Sequence, residues 1–311
     1  MCFAVQFEKF GDEEAYMLRK FLVVSFSLAF CISLAASSNT PSPRAQLSAA
    51  EIVEKNVAAR GGLQAWRTVQ TLSLQGKMGV GGNQRGSLAM PMPNPKQLTL
   101  PHRPAEETQL PFLMELQRGR KTRFELQFAG KTAIQVYDGT VGWKLRPFLN
   151  RMEVEPYTPE ELKIASTQSD LDGPLVDYAA KGSRIELDGV EKVEGRDTYK
   201  LKVTEKTGHT FHVWVDAETF LEAKIEGRPR RLDGTEHPVE VYYRDYRAVD
   251  GLRIPFVLET RVLPVARTAL GRDTPVPPEK IIIDKIVVNP NLDDKLFSKP
   301  EITVARNANT K

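Results

Sequence analysis

His209 and His212, three residues apart, are the first residues of the chain whose type and spacing suggest chemistry. On a helix an H-x-x-H pair shares a face and can hold a metal ion. On an alternating run such as Phe211-Val213-Val215 the two rings point to opposite faces. His102 and His237 lie in loop-like sequence, and known metal sites need ligands that converge in space. Asp170, Asp172 and Asp177 fall in and beside a short helical stretch. Paired carboxylates do acid–base work when their surroundings separate their pKa values; at a helix end their plainer role is capping and solvation. The glycine-rich GKMGVGGNQRG at 76–86 has no following GK[ST] and opens no helix, so it reads as a hairpin turn rather than a phosphate cradle. No G-x-S-x-G, HExxH or Ser/His/Asp pattern stands in strand–turn–helix context. The expectation is a chain that is not an enzyme, with no catalytic residue, no metal and no cofactor.

The elements around these residues are mostly strands. A helix opens at Ser48-Ala49-Ala50-Glu51, a capping box, continues through Ile52, Val53, Val57 and Ala58 at helical spacing, and stops at Gly61-Gly62. LQAWRTVQ adds a short helical turn. Beyond Val69 period two takes over: Thr122-Phe124-Leu126-Phe128, Val141-Trp143-Leu145, Tyr199-Leu201-Val203, Phe211-Val213-Val215, Leu252-Ile254-Phe256-Leu258 and Ile281-Ile283 with Val287. Asp138-Gly139, Asp188-Gly189 and Asp250-Gly251 are strong hairpin pairs, with Ala129-Gly130 and Thr207-Gly208 weaker ones. Connections this short require antiparallel neighbours, and about ten strands in a meander are expected. Thr158-Pro159-Glu160-Glu161 starts a second helix, and a helical piece runs from Pro174 to Lys181, closed by Gly182. Residues 90–111 and 263–280 read as long loops, their proline content excluding central strands. The fold class is mainly β with helices.

Aromatic residues are spread along the strands. Phe124, Phe128, Trp143, Tyr199, Phe211, Tyr243 and Phe256 could line one sheet surface, as ordinary core or as walls of an apolar cavity between a curved sheet and its helices. The stretch VYYRDYRAVDGLRIP reads as a hairpin with its tip at Asp250-Gly251. Val241 and Tyr243 would face inward with Ile254 and Phe256, and Tyr242, Arg244, Arg247 and Arg253 would face water. Pro255 fits an edge or bulge.

The N-terminus has a basic start, Met17-Leu18-Arg19-Lys20, an apolar run FLVVSFSLAFCISLAA, and small residues at 33–37, the pattern of a secretory signal. An uncleaved membrane anchor is the alternative. Met17 fits the role of initiator, with residues 1–16 an extension. Both cysteines, Cys2 and Cys31, fall in the part removed, and Cys31 follows Phe30 inside the run, which excludes a lipid-attachment motif. The expected organisation is extension and signal over 1–36, a loose mature start over 37–47, one domain over 48–300 and a tail over 301–311. The expected location is the periplasm. Lys and Arg total 43 against 40 Asp and Glu, an excess too slight for nucleic-acid binding.

Three C-terminal segments, HVWVDAETFLEAKIEG (212–227), VEVYYRDYRAVDGLRIPFVLETRV (239–262) and IIIDKIVVNPNLDDKLFSKP (281–300), resemble in succession the LolA/LolB-like superfamily of lipoprotein-sorting carriers and their relatives. The resemblance covers most of the mature chain as pattern and the last hundred residues or so as specific motifs. It implies a strongly curved antiparallel sheet forming an open, incomplete barrel with helices as lid. It also implies an apolar cavity for the acyl chains of a lipoprotein or other envelope lipid, and an inner- or outer-membrane partner protein. Met90, Met92, Leu175 and Tyr178 are then lid or rim residues. No lid-locking arginine aligns, but Arg118 and Arg184 are available. The alternatives are a lipid-sensing interaction module, like the RseB-type relatives, and, behind it, an envelope hydrolase.

Overall fold

A computed structural model describes residues 47–81, 107–147, 152–167, 170–232, 235–265 and 276–301. The signal segment, Met90, Met92 and the tail from 302 lie outside the described residues. Helix α1 (Ala49–Ala59) starts at the expected capping box: the Glu51 amide donates to Ser48 Oγ at 3.3 Å and the Ser48 amide to Glu51 Oε2 at 2.8 Å. Gly61 and Gly62, with φ of 113° and 92°, turn the chain into α2 (Leu63–Thr68). Ile52, Val53 and Val57 are buried on one side of α1, and Trp66 is buried from α2.

Among the described residues thirteen strands form one antiparallel sheet. They are β1 (Thr71–Gly81), β2 (Glu107–Gln117), β3 (Lys121–Phe128), β4 (Lys131–Tyr137), β5 (Gly142–Leu145), β6 (Val154–Pro156), β7 (Arg184–Val193), β8 (Arg196–Thr204), β9 (Thr210–Asp216), β10 (Glu222–Leu232), β11 (Thr235–Val249), β12 (Leu252–Val262) and β13 (Glu279–Val288). Their order, β6-β5-β4-β3-β2-β1-β13-β12-β11-β10-β9-β8-β7, puts the first and last strands side by side in the middle. From β1 the chain meanders out to one edge at β6, crosses through α3 (Pro159–Ser166) and residues 170–183 to the other edge at β7, and meanders back. The curved sheet is an incomplete barrel: its edges β6 and β7 are linked by the crossover and not by a strand ladder.

Several expectations change. Asp188-Gly189 is not a hairpin tip but a bulge within β7, where the register slips between Leu187 and Val190; the turn is Glu194-Gly195, both with positive φ. The Pro174–Lys181 stretch is a run of turns rather than a helix. Residues 107–111, expected in a loop, open the central strand β2, with Pro111 opposite Lys77. An isolated proline removes one ladder donor, and the other ten pairs of β1 with β2 hold the register. The Asp250-Gly251 tip, the Ala129-Gly130 turn and the Thr158–Glu161 capping box are as expected.

The two faces of the sheet differ. The inner face joins α1, α2 and the crossover in one continuous apolar core. On the outer face Trp214 and Tyr242 are also buried, beneath cations. Lys224 Nζ lies 4.1 Å from the Trp214 ring centre, and the Arg261 and Arg244 guanidiniums lie 4.1 and 5.3 Å from that of Tyr242. Tyr242 therefore faces outward as expected, but it is covered by these side chains rather than by water.

Candidate functional site

Residues paired across an antiparallel ladder share a face, so the register sorts the predicted cavity residues. Phe124, Tyr199, Phe211, Tyr243 and Phe256 belong to the inner core. Phe124 stacks on Phe112 with ring centres 6.0 Å apart, and Tyr199 on Phe220 at 6.1 Å. Phe128 continues the Phe124-Leu126 side of β3 to the hairpin end, where it is 40% exposed. Trp143 is a correction. It pairs with Val136, whereas Phe124 pairs with Gln135, the residue between Val136 and Ile134; Trp143 is therefore on the outer face. Of the lid candidates, Leu175 is fully buried and Tyr178 packs half-buried against the same core.

A charged network beneath the helices was not expected. Arg60, at the end of α1, is 4% exposed. Its Nη1 donates to Glu222 Oε1 of β10 at 3.2 Å and to the Asp172 carbonyl of the crossover at 3.0 Å. Its guanidinium stacks 4.4 Å from the Trp66 ring centre, and Trp66 Nε1 donates to the Arg60 carbonyl at 3.1 Å. The Tyr246 hydroxyl, from β11, donates to Glu222 Oε2 at 3.1 Å. Burial is the largest single influence on Glu222 and opposes its charge, but the Arg60 guanidinium together with hydrogen bonds from its own amide and Asn56 holds the carboxyl below the usual range. Burial, with the Glu222 charge adding, pushes the Tyr246 hydroxyl well above the usual tyrosine range.

The second half of the network centres on Asp172, which is 1% exposed. Arg118, in the β2–β3 turn, donates through Nη1 to Asp172 Oδ2 at 2.8 Å and through Nη2 and Nε to the carbonyls of Trp66 and Val69, each at 2.6 Å. Lys181 Nζ also donates to Asp172; burial pushes this ammonium below the ordinary lysine range, with Asp172 opposing. Asp177 takes both arms of Arg67 at 2.7 and 2.8 Å. Asp172 and Asp177 are thus ion partners rather than solvating caps, because folding brings Arg67 and Arg118 onto the crossover; Asp170 lies 4.0 Å from Arg118 and accepts from the Leu171 amide at 2.8 Å. Of the two arginines available as a lock, Arg118 has the contacts; Arg184 is exposed beside Glu186.

His102 lies outside the described residues, and the three described histidines do not converge. His209 is exposed, His212 lies between Asp188 and Glu226 on the outer face, and His237 is buried against the Leu263 carbonyl. Among the described residues no group of three His, Cys, Asp or Glu is placed to hold a metal ion. A cleft of about 300 Å³ opens between the ends of β10 and β11, lined by Arg196, Asp216, Glu222, Arg244, Asp245 and Tyr246. Its charges are matched within the protein, Arg196 to Asp216 at 3.3 Å and Arg244 to Glu194 at 2.8 Å.

The fold and site define an open antiparallel half-barrel whose apolar inner face is covered by short helices and a crossover. No protein-family model and no curated protein matches the chain. Among solved structures, its fold is similar to that of a LolA superfamily protein from Nitrosomonas europaea, at 13% identity and a TM-score of 0.48 over 81% of this chain and 98% of that one. It is also similar to a DUF1329 family protein from Desulfovibrio piger, at 14% identity and a TM-score of 0.48 over 80% of this chain and 97% of that one. A Vibrio parahaemolyticus domain described as outer membrane lipoprotein-sorting has 13% identity and a TM-score of 0.47, over 80% of this chain and 95% of that one.

Proposed function

We propose that this chain is a non-enzymatic carrier of the cell envelope that shelters the acyl chains of a lipoprotein or another envelope lipid against the inner face of its sheet. The observation that carries the reading is the cover of that face. It consists of two short helices and a turn-built crossover, fixed by a few charged side chains, where a permanent core would be closed by a second layer. Each methylene taken out of water gains about 0.8 kcal/mol. Loading must also part the cover from Phe124, Tyr199, Phe211, Tyr243 and Phe256, so the net affinity is moderate and release is possible. Phe128, Leu175 and Tyr178 form the rim and lid, and Met90 and Met92 adapt to flexible chains. The chain is exported by the segment ending near residue 36 and works in the periplasm, receiving and delivering its cargo at membrane partners.

Native mass spectrometry of mature protein purified gently from the envelope tests this. Acyl species should co-purify and be displaced by a fluorescent fatty acid, and Phe128→Asp should weaken that capture. Protein that carries no acyl species and leaves the probe in water overturns the reading.

A further inference from the structure

We infer that the sheet is built as two wings that part along the β12–β13 seam, with Arg60 as the clasp between them. One wing is β13 with β1 to β6; the other is β7 to β12. Among the described residues four ladder pairs join them, Val257↔Ile282 to Thr260↔Glu279. The flanking ladders are longer, ten pairs for β11 with β12 and seven for β1 with β13, while the other short ladders, three pairs for β9 with β10, three for β5 with β6 and four for β4 with β5, each lie within one wing.

The sequence explains why the seam is short. Pro255 has no amide proton, and the ladder to β13 stops two residues beyond it, at Val257. At the same level β13 bulges: Gln75 pairs with Lys285 but Gly76 pairs with Ile283, which leaves Asp284 as the extra residue that kinks the strand. Gly76 permits the kink, since a Cβ there would fall 2.1 Å from the Ile282 carbonyl oxygen.

Beyond the split, the α1–α2 connection takes the place of β13 beside β12. The Arg60 carbonyl accepts from the Arg253 amide at 2.9 Å, and Gly61 lies so close that a Cβ would meet the Gly251 oxygen at 2.5 Å. The ties to the helices then divide, while one ion pair, both arms of Arg230 of β10 on Glu279 of β13 at 2.8 Å, crosses the seam itself. Arg60 and Asn56 hold the second wing, through Glu222 and the Phe220 carbonyl. Arg118 and Asn289 hold the first wing, through the carbonyls of Trp66, Val69 and Thr68 and the Gln70 amide. Asp172 joins the two sets, its carbonyl on Arg60 and its carboxylate on Arg118. Motion concentrates where few bonds must break, and the seam is the short ladder that separates the two meanders. Opening by the wings differs from a lid lifting off a rigid sheet, and it stands whether or not the cargo is a lipid.

The mature segment from 37 onward has no cysteine, so paired spin labels report the motion without lipid present. Val141→Cys with Lys192→Cys spans the wings; Gln75→Cys with Val141→Cys and Lys192→Cys with Lys206→Cys lie within one wing each. The cross-wing distance distribution should be the broadest of the three in the parent. Glu222→Gln should shift it to longer distances, leave both controls unchanged, and speed amide exchange at the seam by about tenfold. Arg118→Gln releases the first-wing end of the clasp from a partly exposed position and should act the same way if Glu222→Gln fails to fold. A cross-wing distribution as narrow as the controls in the parent, equal broadening of all three pairs, or opening confined to α1 and α2 overturns the inference.

Discussion

Arg60 and Arg244 each meet a glutamate from a distant part of the chain, one pair beneath the helices and the other on the outer face. Arg244 has the better geometry, with both arms on Glu194 at 2.8 Å and a further bond to Glu259 at 3.1 Å. Arg60 reaches Glu222 with one nitrogen at 3.2 Å, and its Nε has no partner among the described residues. Exposure reverses the ranking. The side chains of the inner pair are 4% and 7% exposed, and those of the outer pair 32% and 37%. Water can replace the outer partners when they are lost, but not the inner ones.

Substitutions can break this contrast. Arg60→Leu leaves Glu222 buried without its counter-charge and should cost about 3–5 kcal/mol in urea unfolding. Arg60→Leu with Glu222→Leu should recover most of that loss, because the stranded charge and not the lost attraction is the penalty. Leu175→Ala, which removes apolar packing from the inner core, should cost about 2–5 kcal/mol with no dependence on salt. Acid separates the two pairs by degree. Both carboxyls titrate below the ordinary range when folded, so the stability they add is complete above the unfolded value and is lost as pH falls through the folded one. For Glu194 hydrogen bonds from Arg244 lower the value from 4.5 to about 2, so any difference between the parent and Glu194→Gln should vanish near the bottom of that window. At neutral pH, Glu194→Gln should cost at most about 1 kcal/mol, a loss that shrinks further in high salt. A loss on Glu194→Gln as large as that on Arg60→Leu would show that burial is not what separates the pairs.

The fold was largely legible because its signals are local. Alternation marks strands wherever one face is buried, and Asp250-Gly251 turns where both residues can take positive φ. Asp188-Gly189 misleads because the same dipeptide that favours a hairpin also suits a bulge, while the true turn at Glu194-Gly195 carries a weaker signal. Trp143 was placed on the wrong face because alternation fixes sides within a strand, whereas its face relative to Phe124 depends on the register across β4. The clasp was hidden for a related reason. Arg60 before a double glycine looks like an ordinary helix end, and nothing near it announces a partner 162 positions away.

The central pairing of β1 with β13 also sets a schedule for folding. Met78 and Ile281 are partners on the order of 200 positions apart, a separation that slows folding, because the intervening chain must be in place before the contact can form. Until residues 279–288 arrive, β1 and β12 each present a bare edge, the kind of surface that recruits other chains. A chain ending before residue 279 would keep both edges permanently, and should be recovered as aggregate rather than as a smaller soluble domain. The strand that joins the wings is thus the one made last.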